Sequence, residues 1–329
     1  MEMQFIYADN AATTKMSDVA VKAMLPYLQE TYANASSVHI LGQRSAAALF
    51  SARQQVAQLL HCAPKELFFT SGGSEADNQA LISAAAIGKQ QGKRHIISTA
   101  MEHHAILHTL EALEEQGFTV TLLRPQKDGI VSAAQVAAAL TDETCLVSVM
   151  YANNETGAIQ PIKEIGALCR QRGVLFHTDA VQAAGHVDID VQRDNIDMLS
   201  LSAHKFHGPK GVGLLFAKSS IQLTSLIRGG GQERGKRAGT ENLPGIIGLA
   251  AAFKDAQEQL AANTAYITNL RDALRAGLEQ IPGASFNGSR EHCLPGTVNY
   301  SFQSVNGEAL LSLLANAGIC CSSGSACSA

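Results

Sequence analysis

Residues 198–218, MLSLSAHKFHGPKGVGLLFAK, set two short apolar runs, MLSLS and GVGLLFA, on either side of a lysine with histidines close by. Runs of that length without strict polar alternation read as strands covered on both faces of a sheet. The lysine, Lys205, comes three residues after the end of the first run and lies between His204 and His207, where an unpaired ammonium would be poorly solvated. Desolvation lowers the pKa of a lysine and makes its amine a usable nucleophile. The same rhythm extends outward in both directions. RHIIST (94–99), TVTLLRP (119–125), CLVSVMYA (145–152) and VLFHTDA (174–180) read as strands, with SAAQVAAAL (132–140) and IKEIGALCRQRG (162–173) as helices between them. The pattern is α/β with a mainly parallel central sheet, and ligands of such sheets gather just beyond the carboxyl ends of the strands.

Composition bounds the function. A chain of 34.7 kDa with 46% hydrophobic and 16% charged residues buries a large core and divides into a main and a smaller domain. A net charge of −4 and a pI near 6.3, with no lysine or arginine run, give no electrostatic reason to expect nucleic acid or an anionic membrane as partner. No stretch offers the roughly 18 uninterrupted apolar residues of a membrane helix. The start, MEMQFIYADNAATT, is acidic and polar by residue ten and unlike a secretory signal, so the cytoplasm is the expected compartment. From Asn242 the pattern turns to long helix, 243–281, a bridge between domains; strand-like GTVNYSF (296–302) and helix-like NGEALLSLLANAG (306–318) then form a small α+β piece. The expected division is a large domain over 15–260 and a small domain from 1–14 and 261–329, incomplete at its C-terminal side.

Four strand ends carry residues capable of chemistry. IIST is followed by Met101-Glu102-His103-His104, LVSVMYA by Asn153-Asn154-Glu155, VLFHT by Asp179 with Gln182 one turn on, and LSLS by Ala203-His204-Lys205. A fifth turn, in FFTSGGSEADN, places Ser71-Gly72-Gly73-Ser74 before a helix expected to start near Glu75. Small residues and free amides at a helix N-terminus make a phosphate cradle. Taken singly, Asp179 reads as a helix cap, His103 as a satisfied histidine and SGGS as an ordinary turn. Together they meet the needs of pyridoxal 5'-phosphate: a lysine for the aldehyde, a carboxylate for the pyridinium, a flat ring to stack on it and a phosphate cradle. A nucleotide reading fits poorly, because SGGSEADN lacks the G-x-G-x-x-G spacing and no Walker lysine follows.

The segments YADNAATT, FFTSGGSEADNQAL, MEHHAIL, YANNETGAIQPI, HTDAVQAAGH, SAHKFHGPKGVGLL, GGGQERGKRAGTEN and SSGSACS resemble, in this order and over essentially the whole chain, those of cysteine desulfurases. These belong to the class V aminotransferase group of fold-type I pyridoxal phosphate enzymes. The terminal SSGSAC resembles the branch that serves iron–sulfur cluster assembly and tRNA thiolation. The resemblance implies that Lys205 binds the cofactor covalently, that Asp179 pairs with its ring nitrogen and that His103 stacks on the ring and relays protons. It assigns Gln182 to the phenolic oxygen, Asn154 to cofactor and substrate, and Gly73, Ser74, Ser202 and His204 to the phosphate. Thr240 of RAGTEN would reach the phosphate from a second subunit, which implies a homodimer.

Three of the seven cysteines, Cys320, Cys321 and Cys327, fall in the last ten positions. An odd, uneven count is unlike a disulfide framework, and no second Cys/His pair answers these three as a zinc site would require. The resemblance makes Cys327 the nucleophile that takes sulfur from L-cysteine, leaving L-alanine and a persulfide for an acceptor protein, an iron–sulfur scaffold or a tRNA thiolation enzyme. The small, polar setting of Cys327 suits an exposed reactive thiol, while Cys320 and Cys321 follow apolar residues and read as core or strand positions, with a relay or disulfide role the minor reading. Family members continue past this loop with an arginine for the substrate carboxylate, which the present 329 residues do not include. Two further readings stand beside this one: a selenocysteine lyase or other class V enzyme on the same cofactor site, and a non-catalytic subunit that binds cofactor and dimerises.

Overall fold

The structure is a computed structural model that describes residues 5–324. In chain order the first half contains β1 (Ile6–Tyr7), α1 (Asp18–Gln29), α2 (Ile40–Leu59), β2 (Leu67–Thr70), α3 (Gly73–Gln90), β3 (His95–Thr99), α4 (His104–Glu114), β4 (Thr119–Leu123), α5 (Ala133–Ala139) and β5 (Thr144–Ser148). The second half contains α6 (Ile162–Arg172), β6 (Leu175–Asp179), β7 (Met198–Ser202), β8 (Gly213–Ala217), α7 (Leu243–Glu258), α8 (Leu260–Leu278), β9 (Ala284–Phe286), β10 (Tyr300–Phe302), α9 (Gly307–Asn316) and β11 (Ile319–Cys320).

Seven strands form one sheet in the order β2-β8-β7-β6-β5-β3-β4, parallel except for β8, which runs against both its neighbours. Every residue of β2, β3, β5, β7 and β8 is buried, which is why these segments read as apolar runs rather than alternating ones. Alternate side chains of β8 go to opposite cores. Leu214 and Phe216 join the cluster under α2, α6 and α7, while Leu215 and Ala217 join the one under α3 and α4.

Local chemistry sets the helix ends. Ser17 Oγ accepts the Ala20 amide at 3.1 Å to start α1, Ser132 and Gln135 form a capping box on α5, and Gly173 ends α6 at φ +64°. Two sequence expectations shift. Helix α3 begins at Gly73 rather than near Glu75, and the 243–281 helix is divided at Gln259 into α7 and α8. Beyond α8, β9 and β10 form an antiparallel pair, and β11 returns to pair in parallel with β1.

Strand β4 lies outside β3, and the chain then crosses back to place β5 on the other side of β3. The order therefore reverses between β3 and β5, and a crevice opens at their carboxyl ends. Because β2 is antiparallel to β8, its carboxyl end lies at the same edge as those of β3, β5, β6 and β7.

Candidate active site

That edge holds a cavity lined by Gly73, Ser74, Asp77, His103, Met150, Ala152, Asn154, Asp179, Val181, Gln182, Ser202, His204 and Lys205. All the cofactor residues expected from the sequence meet here except Thr240, which is exposed in the loop before α7.

Lys205 ends the single turn of 3-10 helix that follows β7 and is 6% exposed. Its Nζ donates to the carbonyl oxygens of Ala11 and Ala12, the latter at 2.9 Å. The segment around residue 12 is laced to this turn: the Thr14 hydroxyl donates to His204 O at 2.8 Å and accepts the His207 amide at 2.8 Å. Gln182 Nε2 donates to Ala11 O at 2.9 Å, so the same carbonyl gathers both side chains.

Asp179, the last residue of β6, accepts the Val181 amide at 2.8 Å. Burial pushes its carboxyl up to about 6, against the pull of that amide and of the Lys205 charge, so it is ionised at neutral pH. His103 is the N-cap of α4, and its Nδ1 accepts the Ala105 amide at 3.1 Å. Burial, then the charges of Lys205, His104 and His108, lower its pKa. The neutral ring therefore carries its proton on Nε2. Asn153 Oδ1 accepts the amides of Glu155 and Thr156 at 3.1 and 2.9 Å, a turn that presents Asn154 to the cavity.

The N-terminus of α3 supplies amides that have no acceptor within the helix. A Cβ on Gly73 would stand 2.6 Å from Val181 Cγ2, so only glycine lets the helix start this close to the strand ends. Ser202 and His204 face the same place, and burial, then the charges of Lys205 and Lys210, lower His204 to about 4.

Beneath the cavity lies a buried polar layer. Thr99 Oγ1 and the Met150 amide donate to Glu102 Oε1 at 2.7 and 2.9 Å, and burial raises this carboxyl to about 8. His177, held by the hydroxyls of Ser148 at 2.9 Å and Ser200 at 3.0 Å, is lowered to about 3 by burial and is neutral. Asp77, on the first turns of α3, is 1% exposed. Sequence reasoning missed Asp77 and the Ala11 and Ala12 carbonyls. Asp77 stood inside the SEADN motif beside Glu75, Asn78 and Gln79, so nothing in the sequence set it apart from its polar neighbours.

These residues fit pyridoxal phosphate on structural grounds. A buried ammonium and a buried ionised carboxylate share one cavity, a glycine-started helix points its free amides into it, and a ring held by its own helix forms one wall. Cys327 lies outside the described residues. Cys320 belongs to β11, and Cys320 and Cys321 are half-buried and free. Among the described residues no group of three or more His, Cys, Asp or Glu is placed to hold a metal ion.

Comparison with known proteins gives a consistent result. The aminotransferase class-V family matches residues 6–329. Cysteine desulfurase IscS of Clostridium botulinum is 50% identical over 325 residues, covering 98% of this chain and 82% of the relative. The IscS of Methanosarcina thermophila is 47% identical, covering 99% and 80%. Among solved structures, a NifS-like protein superimposes with a TM-score of 0.93 at 38% identity, covering 96% of this chain and 87% of the other. SspA in complex with cysteine gives a TM-score of 0.84 at 36% identity, covering 97% and 89%.

Proposed function

The chain belongs to the class-V aminotransferase family, and we propose that it is a pyridoxal-phosphate-dependent cysteine desulfurase that converts L-cysteine to L-alanine and a persulfide on Cys327. The observation that carries this reading is the meeting of buried Lys205 and ionised Asp179 in one cavity closed by the start of α3. When bound, pyridoxal phosphate supplies an electron sink that weakens bonds at the substrate's α and β carbons.

The protein's own groups prepare the rest. Lys205 provides the amine that holds the cofactor, while the Ala11 and Ala12 carbonyls fix Nζ in place. Asp179 would keep a negative charge beside the ring nitrogen, and the Gly73 and Ser74 amides with Ser202 and His204, which line one place, would receive the phosphate. His103 holds a movable proton at Nε2 because Nδ1 is committed to Ala105. Asn154 and Gln182 orient cofactor and substrate, and Cys327 brings the thiolate that takes the sulfur.

The persulfide passes to an acceptor protein for iron–sulfur cluster assembly or tRNA thiolation. The protein works in the cytoplasm as a homodimer, with Thr240 of one subunit reaching the phosphate held by the other. The large domain spans 15–260, and residues 1–14 and 261–329 form the small one. L-Cysteine given to the purified protein with pyridoxal phosphate and a reductant is expected to yield equal amounts of alanine and sulfide. Lys205→Ala should lose both products and the yellow absorbance; amino-group transfer to a keto acid without sulfide would favour the aminotransferase reading.

A further inference from the structure

The buried layer under Asp179 contains a carboxyl that the proposed reaction does not use. Asp77 lines the cofactor cavity together with Asp179, and its Oδ1 makes no hydrogen bond among the described residues. His177 Nε2 lies 3.7 Å from Oδ1, beyond hydrogen-bonding distance, and is already engaged with Ser200. His177 and Asp179 are two apart on β6 and so point to the same face of the sheet, toward α3. The titratable groups around Asp77 are thus Asp179 and His177 from β6, Glu102 and His103 after β3, and Lys205 after β7. His177 is neutral, and Lys205, whose charge acts on Asp179, donates to Ala11 and Ala12.

We infer that Asp77 and Asp179 form a buried carboxyl pair that stores one proton and delivers it to the ring nitrogen when the cofactor binds. Two carboxyls in one buried site resist ionising together, and the Lys205 charge favours the ionised form at Asp179. Burial, with the Asp179 charge adding to it, raises the Asp77 carboxyl well above its usual range, against the Ser200 hydroxyl, so the proton resides on Asp77. When a ring nitrogen meets Asp179, the O–H bond of the pair breaks and an N–H bond forms. Asp77 becomes a carboxylate, and the pyridinium is the cation that allows both acids to be ionised. Asp77 is therefore a positioning residue: it acts through Asp179 and keeps the ring nitrogen protonated without exchange with solvent.

The inference rests on the cofactor reading and is tested by counting protons. Pyridoxal phosphate binding to the cofactor-free protein is followed by calorimetry in buffers of different ionisation enthalpy, for the parent and for Asp77→Asn. Asparagine keeps the shape but holds no proton to give, so the variant should take up about one more proton per site from solvent than the parent. A merely structural role would change stability and affinity but not this difference, and equal proton counts overturn the inference. Should the variant fail to fold, infrared difference spectra of the parent carrying 13C-carboxyl aspartate decide the matter. A protonated aspartate band lost on cofactor addition supports the pair, and a band that is absent or persists overturns it. A parent that develops no yellow absorbance would instead refute the cofactor reading, and the inference would fall with it.

Discussion

Glu102 is ionised when unfolded above about pH 4.5 but protonated in the folded protein up to about 8, so between these values the native state binds the extra proton. Its contribution to stability therefore falls as pH rises through this window and is constant above it. Glu102→Gln keeps an acceptor for Thr99 and Met150 and removes the titration. Chemical denaturation of the variant should show a shallower loss of stability from pH 5 to 8 than the parent, and an unchanged slope would contradict the burial argument. His177, lowered to about 3, has the opposite sign: its contribution is present above pH 6.5 and is lost as pH falls toward 3. At Gly73, a methyl group would meet Val181 at 2.6 Å where the phosphate cradle begins. Gly73→Ala is expected to destabilise by about 1–3 kcal/mol, as overpacking does, and to weaken pyridoxal phosphate binding measured by absorbance titration. Asp179, His103 and Lys205 were legible in the sequence because each follows an apolar run. Asp77 was hidden because its significance depends on which strand its helix covers.

At the scale of elements, β2 is an edge strand, and its outer side is covered by charge rather than by another strand. Arg53 of α2 donates to Leu67 O at 2.7 Å and pairs with both oxygens of Glu233 at 2.8 and 2.6 Å; Glu233 also accepts the Phe69 amide at 3.2 Å. Arg234 donates to Leu67 O and lies 4.2 Å from the centre of the Phe68 ring. Glu233 and Arg234 hold φ of +46° and +57°, a left-handed pair of non-glycine residues that the ion pair over-determines. Glu233→Ala leaves the Arg53 guanidinium buried without a carboxylate and should cost about 3–5 kcal/mol in urea unfolding. Adding Arg53→Met to that variant should cost less than the sum of the single changes, since the orphaned charge is gone; additive losses would deny the coupling. The motif was visible in the sequence, but its service to the sheet edge was not. The helix division at Gln259 was likewise invisible, because no proline or glycine marks it.

For the whole molecule, the alternation of strands and helices read from sequence matches the seven-stranded sheet, and the site falls where its order reverses. What composition did not convey was the strand order and the return of β11 to β1, since pairing between residues 6 and 319 leaves no local pattern. Sedimentation should give a dimer of two 34.7 kDa chains that Thr240→Val leaves intact while weakening cofactor retention; a monomer retaining cofactor would contradict the two-subunit reading. The most direct test of the account follows the sulfur. After a brief exposure to 35S-labelled L-cysteine without reductant, the peptide bearing Cys327 should carry the label in the parent, and no peptide should carry it in Lys205→Ala. Label absent from Cys327 in the parent, or present in the lysine variant, would contradict a desulfurase built on this cavity.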